Sequence, residues 1–222
     1  VAGTPGLRID HYDWAGGREA VLRFGPDEAA PIVVAALPPF EEGNRTRAAM
    51  VDVLRRLAAR GVASALPDLP GAGESLVPTV EATPAMWRQA FAAACASLPA
   101  PVHVMAWRGG ALIDGEAAVA SRWYLSPQSG AALVRELARI RGLAGREDYA
   151  GNILSGAMIE ALAVAQPATA EPLRVVRLDG DVKAADRKLP GAPLWRAAEP
   201  GTDTALQEMI ASDVADWVLA CG

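Results

Sequence analysis

The turn Met105-Ala106-Trp107-Arg108-Gly109-Gly110 joins an apolar run that reads as a strand to an Ala-rich run that reads as a helix, with an arginine at its tip. A guanidinium stays protonated and has no lone pair to offer a carbonyl carbon, so Arg108 offers ion pairing rather than nucleophilic attack. Glu41 and Glu42, after the apolar run Ile32–Leu37, are its internal partners by residue type. A carboxylate or phosphate ligand is the external one, because a guanidinium and the N–H groups opening a helix favour the same charge. Asn44, Arg45 and Arg47 extend this polar stretch, and Trp107 serves either as cleft lining or as core. Ser75, closing Asp68-Leu69-Pro70-Gly71-Ala72-Gly73-Glu74-Ser75, and Ser126 are the candidate hydroxyl nucleophiles, with Glu41, Glu42 or Asp179 as candidate bases. A carboxylate is a feeble base for serine unless burial raises its pKa. Each also has a plain structural role open to it: Ser75 as a loop clasp, and Asp179 and Asp181, flanking Gly180, as turn residues. The chain has only two histidines, His11 and His103, both placed early, in a hairpin and inside a strand. Isolated histidines lack the cluster that a metal or a triad requires.

Composition narrows the classes. The 222 residues suffice for one sizeable core, and 51% hydrophobic with 21% charged residues is an ordinary globular composition. A net charge of −5 and nineteen scattered arginines provide no basic field for nucleic acid. Cys95 and Cys221 have neither metal-ligand spacing nor the look of a disulfide framework, which fits a reducing compartment. The longest apolar run, Pro31–Phe40, is too short and proline-rich to span a bilayer. The expectation is a single cytoplasmic domain over residues 1–222, with no metal and no cofactor.

The elements that would position these residues alternate in type. Leu7–Trp14 and Arg18–Phe24, separated by Ala15-Gly16-Gly17, read as a hairpin. Ile32–Leu37, Val62–Leu66, Val102–Ala106, Trp123–Leu125, Val175–Leu178 and Pro193–Ala197 read as strands. Between them lie a helix capped by Asn44 with Met50, Val53, Leu54 and Leu57 on one face, a helix over Ala85–Leu98, and two more over Ala131–Arg141 and Ile153–Ala165. Ala205–Leu219 closes the chain as a helix. Strand–helix alternation of this length implies a mostly parallel sheet with helices on both faces, an α/β fold.

The Asp68–Ser75 loop resembles the D-x-x-G-x-G-x-S loop of α/β-hydrolases, and Ala106–Gly110 lies one βα unit later, where that family has its nucleophile elbow. The resemblance implies the α/β-hydrolase fold over the whole chain, a helical cap at about 127–168, and an Arg where the nucleophilic Ser belongs. The triad base would come late, near Glu199–Asp203, and no histidine is there. A narrower resemblance lies in Pro38-Pro39-Phe40-Glu41-Glu42-Gly43-Asn44-Arg45-Thr46-Arg47 and Ser126-Pro127-Gln128-Ser129-Gly130, which are similar to stretches of the exosortase A system-associated hydrolase-like proteins of the second type. That group tends to carry arginine at the elbow and implies a setting near bacterial exopolysaccharide and protein sorting. The resulting expectation is a catalytically silent binding or accessory protein, holding a small anionic or acyl ligand or acting through a protein partner or a second copy. The alternative is an acyl ester or thioester hydrolase with a relocated nucleophile.

Overall fold

The computed structural model describes residues 6–26, 31–99, 101–144, 148–149 and 151–221. Of the segment at 127–168, residues 145–147 and 150 therefore lie outside the described residues. Eight strands form one sheet: β1 (Arg8–Trp14), β2 (Gly17–Phe24), β3 (Ile32–Ala36), β4 (Ala63–Pro67), β5 (Val102–Trp107), β6 (Ser121–Leu125), β7 (Leu173–Leu178) and β8 (Arg187–Leu189). Their spatial order is β1-β2-β4-β3-β5-β6-β7-β8; β1 and β2 run antiparallel, and every pairing from β4 to β8 is parallel. All residues of β3, β4, β5 and β6 are buried. That is the physical reason they read as largely apolar runs rather than alternating ones, with Ser64, His103, Ser121 and Arg122 buried among them.

Among the described residues five helices cover the two faces: α1 (Phe40–Ala59), α2 (Pro84–Ala96), α3 (Gly130–Ala144), α4 (Gly156–Val164) and α5 (Thr204–Ala220). Successive side chains of a strand point to opposite faces, so each strand feeds two cores. Val33, Met105, Trp107 and Trp123 join Leu54, Leu57, Ile210 and Val214 of α1 and α5. Val34, Val104, Ala106 and Tyr124 join Phe91, Leu133 and Leu162 of α2, α3 and α4. No helix among the described residues is long and apolar enough to cross a membrane.

Three expectations are corrected. Helix α1 begins at Phe40, with Pro39 at its N-cap and no side-chain cap, so Asn44 lies inside the helix rather than before it. The early start puts Glu41 and Glu42 in the first turn, where the helix dipole favours negative charge. Pro193–Ala197 is not a strand; Leu194–Arg196 is a single 3-10 turn, and the sheet closes instead on β8. A three-residue strand with two charges, Arg187-Lys188-Leu189, gives little periodic signal and suits a sheet edge. The residues after Arg108 form two short 3-10 segments, Arg108–Leu112 and Asp114–Glu116, rather than the expected helix. Adjacent glycines at 109 and 110 disfavour an α-helix there.

Candidate functional site

Arg108 follows β5 directly and adopts φ 53°, the left-handed region, which costs a side-chain-bearing residue roughly 1–2 kcal/mol. The turn is held by its surroundings. A Cβ on Gly110 would collide with the Ala36 carbonyl, and one on Gly109 would lie 2.9 Å from Cδ of Pro39. The elbow is thus pressed against the end of β3 and the Pro38-Pro39 pair.

Arg108 is only 9% exposed. Its Nε donates to both carboxylate oxygens of Glu42 at 3.3 Å, and Nη2 donates to Glu42 Oε1 at 3.1 Å. Nη2 also donates to both oxygens of Glu136, on α3, at 3.1 Å. The Trp195 ring lies beneath, its centroid 5.1 Å from the guanidinium carbon, within cation–π range. Burial pushes the Glu42 carboxyl above the usual range, and the Arg108 charge pulls it back. Of the two glutamates expected to meet Arg108, Glu42 does. Glu41 instead pairs with Arg45 at 3.2 Å, one helical turn on.

The other candidates separate. Arg45 Nη1 also donates to the Trp195 carbonyl at 3.4 Å, tying α1 to the turn under Arg108, and Arg47 pairs with Asp68 at 3.1 Å. Trp107, a candidate for cleft lining, is fully buried among the α1 and α5 side chains, because it shares the β5 face of Met105. Ser75 Oγ accepts from Gly71 N and Val77 N at 3.2 Å and donates to Glu19 Oε1 at 3.0 Å, so it clasps its own loop to β2. Asp179 is exposed in the turn between β7 and β8, its N–H donating to the Leu189 carbonyl at 2.9 Å. His11 is exposed on β1, and His103 is buried in β5 with Nδ1 2.8 Å from Ser121 Oγ. Neither lines a cavity with Arg108. Ser126 adopts φ 47° after β6, and its buried Oγ has no hydrogen-bond partner among the described residues.

Two cavities open at the C-terminal ends of the strands, where open α/β sheets bind ligands. One, of about 390 Å³, lies between the Pro38–Phe40 and Asp68–Ser75 loops and includes Asn44, Arg47 and Ser75 in its lining. The other, of about 450 Å³, is lined by Arg108, Ser126, Gln128, Glu136, Arg177 and Arg196 among others. Glu136 and Trp195 carried no sequence signal of their own, since nothing in their spacing links them to the elbow, and Gln128 entered only as part of the Ser126–Gly130 stretch.

The Arg108 side chain at the tip offers no nucleophilic atom, neither His11 nor His103 lines the cavity that it borders, and Pro38 and Pro39 of the β3–α1 connection have no N–H to donate. Among the described residues no cluster of three or more His, Cys, Asp or Glu could hold a metal ion.

No family model matches the chain, and no curated protein matches it in sequence. Solved structures do. Est1E from Butyrivibrio proteoclasticus, in complex with ferulic acid, superposes with a TM-score of 0.65 at 18% identity, covering 96% of this chain and 98% of that one. Mouse alpha/beta hydrolase domain-containing protein 10 gives 0.68 at 13% identity, covering 97% and 100%. A thermophilic esterase from Thermogutta terrifontis gives 0.62 at 14% identity, covering 96% and 99%. At such identities the likeness speaks for the fold, which together with the strand order is that of the α/β-hydrolases.

Proposed function

We propose that this α/β-hydrolase-fold chain is a catalytically silent binding or accessory protein whose elbow has been turned from a nucleophile site into a salt-bridged wall. The observation that carries the reading is Arg108 on a left-handed elbow, bound on two sides by Glu42 and Glu136 and stacked on Trp195. A guanidinium so engaged offers neither a nucleophile nor a proton acceptor. The helical segment at about 127–168 acts as the cap through α3, which brings Glu136 to Arg108. Ile153 and Val164, 69% and 78% exposed, support contact with a protein partner or a second copy. The cytoplasmic setting and the link to bacterial exopolysaccharide or exosortase-associated export rest on composition and on the Pro38–Arg47 and Ser126–Gly130 stretches.

One observation favours the alternative of a relocated nucleophile: Ser75 Oγ donates to Glu19, a carboxyl whose pKa burial raises, the direction that strengthens a base. Against it, both backbone N–H groups held by Ser75 would have to be released for attack. The test is turnover of short- and long-chain acyl esters and thioesters by the purified protein beside Arg108→Ser, Ser75→Ala and Ser126→Ala. The expected result is no turnover above a protein-free blank, including in Arg108→Ser, since no base is restored. Turnover abolished by either alanine variant, or created by Arg108→Ser, overturns the reading.

A further inference from the structure

The 450 Å³ cleft combines two features that the salt-bridged wall does not explain. Its first is a floor of unsatisfied polar atoms. Ser126 and Gln128 are 2% and 4% exposed, and Ser126 Oγ, Gln128 Nε2 and Gln128 Oε1 all lack a partner among the described residues. A buried carboxamide with both ends unpaired is costly, and a ligand that accepts at one end and donates at the other removes that cost. Both residues belong to the connection from β6 to α3, and the left-handed backbone at Ser126 redirects the chain there.

Its second feature is charge. Arg108, Arg177, Lys183 and Arg196 line the cleft against Glu136 and Asp181, and cations still outnumber acids when Glu42 behind Arg108 is included. Two of the four are engaged: Arg108 as described, and Arg177 with Asp181 at 2.7 Å and the Ala184 carbonyl at 3.1 Å. Lys183 and Arg196 are exposed; their charges act on Asp181 and Glu42, but neither side chain makes a hydrogen bond or close ion pair with the described residues. Oxyanions are the chemistry such donors recognise, and the volume suits a small molecule.

We propose that this cleft binds a small hydroxyl-bearing oxyanion, its phosphate or carboxylate held by Lys183 and Arg196 and its hydroxyl groups meeting Ser126 and Gln128. The inference rests on reading the cleft as a binding site, and direct binding measurements keep its failure separate from failure of that reading. Glycerol 3-phosphate and glycerate carry similar hydroxyls on different oxyanions, so calorimetric titration of both, beside inorganic phosphate and glycerol, identifies which oxyanion is taken. One of the two is expected to bind saturably and more tightly than inorganic phosphate, and glycerol not at all. Lys183→Ala combined with Arg196→Ala should weaken binding at least about tenfold, with a salt dependence that disappears, and Gln128→Ala should weaken it by roughly fivefold. Arg18→Ala, on the distant hairpin, removes one charge and should leave affinity unchanged. Absence of saturable binding by either molecule overturns the inference, and so does binding that Arg18→Ala weakens as much as the cleft variants do. Binding unaffected by Gln128→Ala overturns the role given to the floor. None of these outcomes depends on whether esters are turned over.

Discussion

Two charge clusters in this molecule are near mirror images. At the elbow one guanidinium, Arg108, serves two carboxylates, Glu42 and Glu136. Behind the sheet one carboxylate, Asp213 of α5, serves two guanidiniums, Arg174 at 2.9 Å and Arg187 at 2.5 Å, and also accepts from Trp123 Nε1 at 2.8 Å. Burial alone would raise the Asp213 pKa, yet donors from Arg174, Trp123 and Arg187 hold it below the usual aspartate range. Those donors come from β6, β7 and β8, so Asp213 staples α5 across three strands. Arg108 instead borders a cleft with unpartnered polar atoms on its floor, on a backbone held in a strained conformation. The comparison teaches that ion-pair geometry alone does not mark a site. What distinguishes the two is that the unpartnered atoms beside Arg108 line a cleft and include both ends of a carboxamide, whereas the one beside Asp213 is the indole N–H of Trp217, packed under Arg174.

The sharpest way to break the contrast is Asp213→Ala. Removing the shared partner strands two guanidiniums and a buried indole N–H, and since both arginines can turn towards solvent the expected cost is about 3 kcal/mol, read from urea unfolding. A cost below that of Arg108→Ala would show that the two clusters do not differ as described.

Arg108→Ala should cost less, about 1–2 kcal/mol at neutral pH, and Arg108→Gly about 1 kcal/mol less again, because glycine carries no penalty at φ 53°. The pH dependence has a definite sign. The folded-state pKa of Glu42 is raised above its unfolded value, so its favourable contribution is present below the ordinary glutamate range and lost as pH rises through the folded value. Removing Arg108 takes away the main opposing influence and widens that window. The deficit of Arg108→Ala relative to the parent should therefore be largest at neutral pH and shrink as pH falls towards 4.5, as chemical denaturation at a series of pH values would show. A deficit that grows in acid would contradict the assignment.

The smallest effect belongs to His103. Burial lowers its pKa, so the unfolded chain takes up the proton first and stability is lost as pH falls below 6.5. A one-proton difference gives a slope of at most about 1.4 kcal/mol per pH unit, and His103→Asn should flatten that part of the stability profile. An unchanged slope would mean that the buried ring does not titrate separately from the rest of the fold.

Most strand runs, the hairpin and the Gly-rich loop were legible in the sequence because each is a local matter: largely apolar runs, turn residues, and glycines where backbones meet. Position 108 itself was equally plain, since a guanidinium excludes nucleophilic attack whatever surrounds it. Other features were decided only by the chain's three-dimensional path. β8 is too short and charged to show periodicity, and Asn44 looked like a cap until the two prolines started the helix at Phe40. Glu42 was chosen over Glu41 because successive residues on a helix diverge by about 100°, so that only one can face the elbow while the other meets Arg45. Glu136 and Trp195 stand 28 and 87 positions from Arg108 along the chain and reach it only because α3 and the turn after β8 fold over the same sheet edge. Amino-acid type determined what position 108 cannot do. Packing between distant segments, which leaves no local pattern in the sequence, decided what holds the arginine there and left Ser126 and Gln128 without partners beside it.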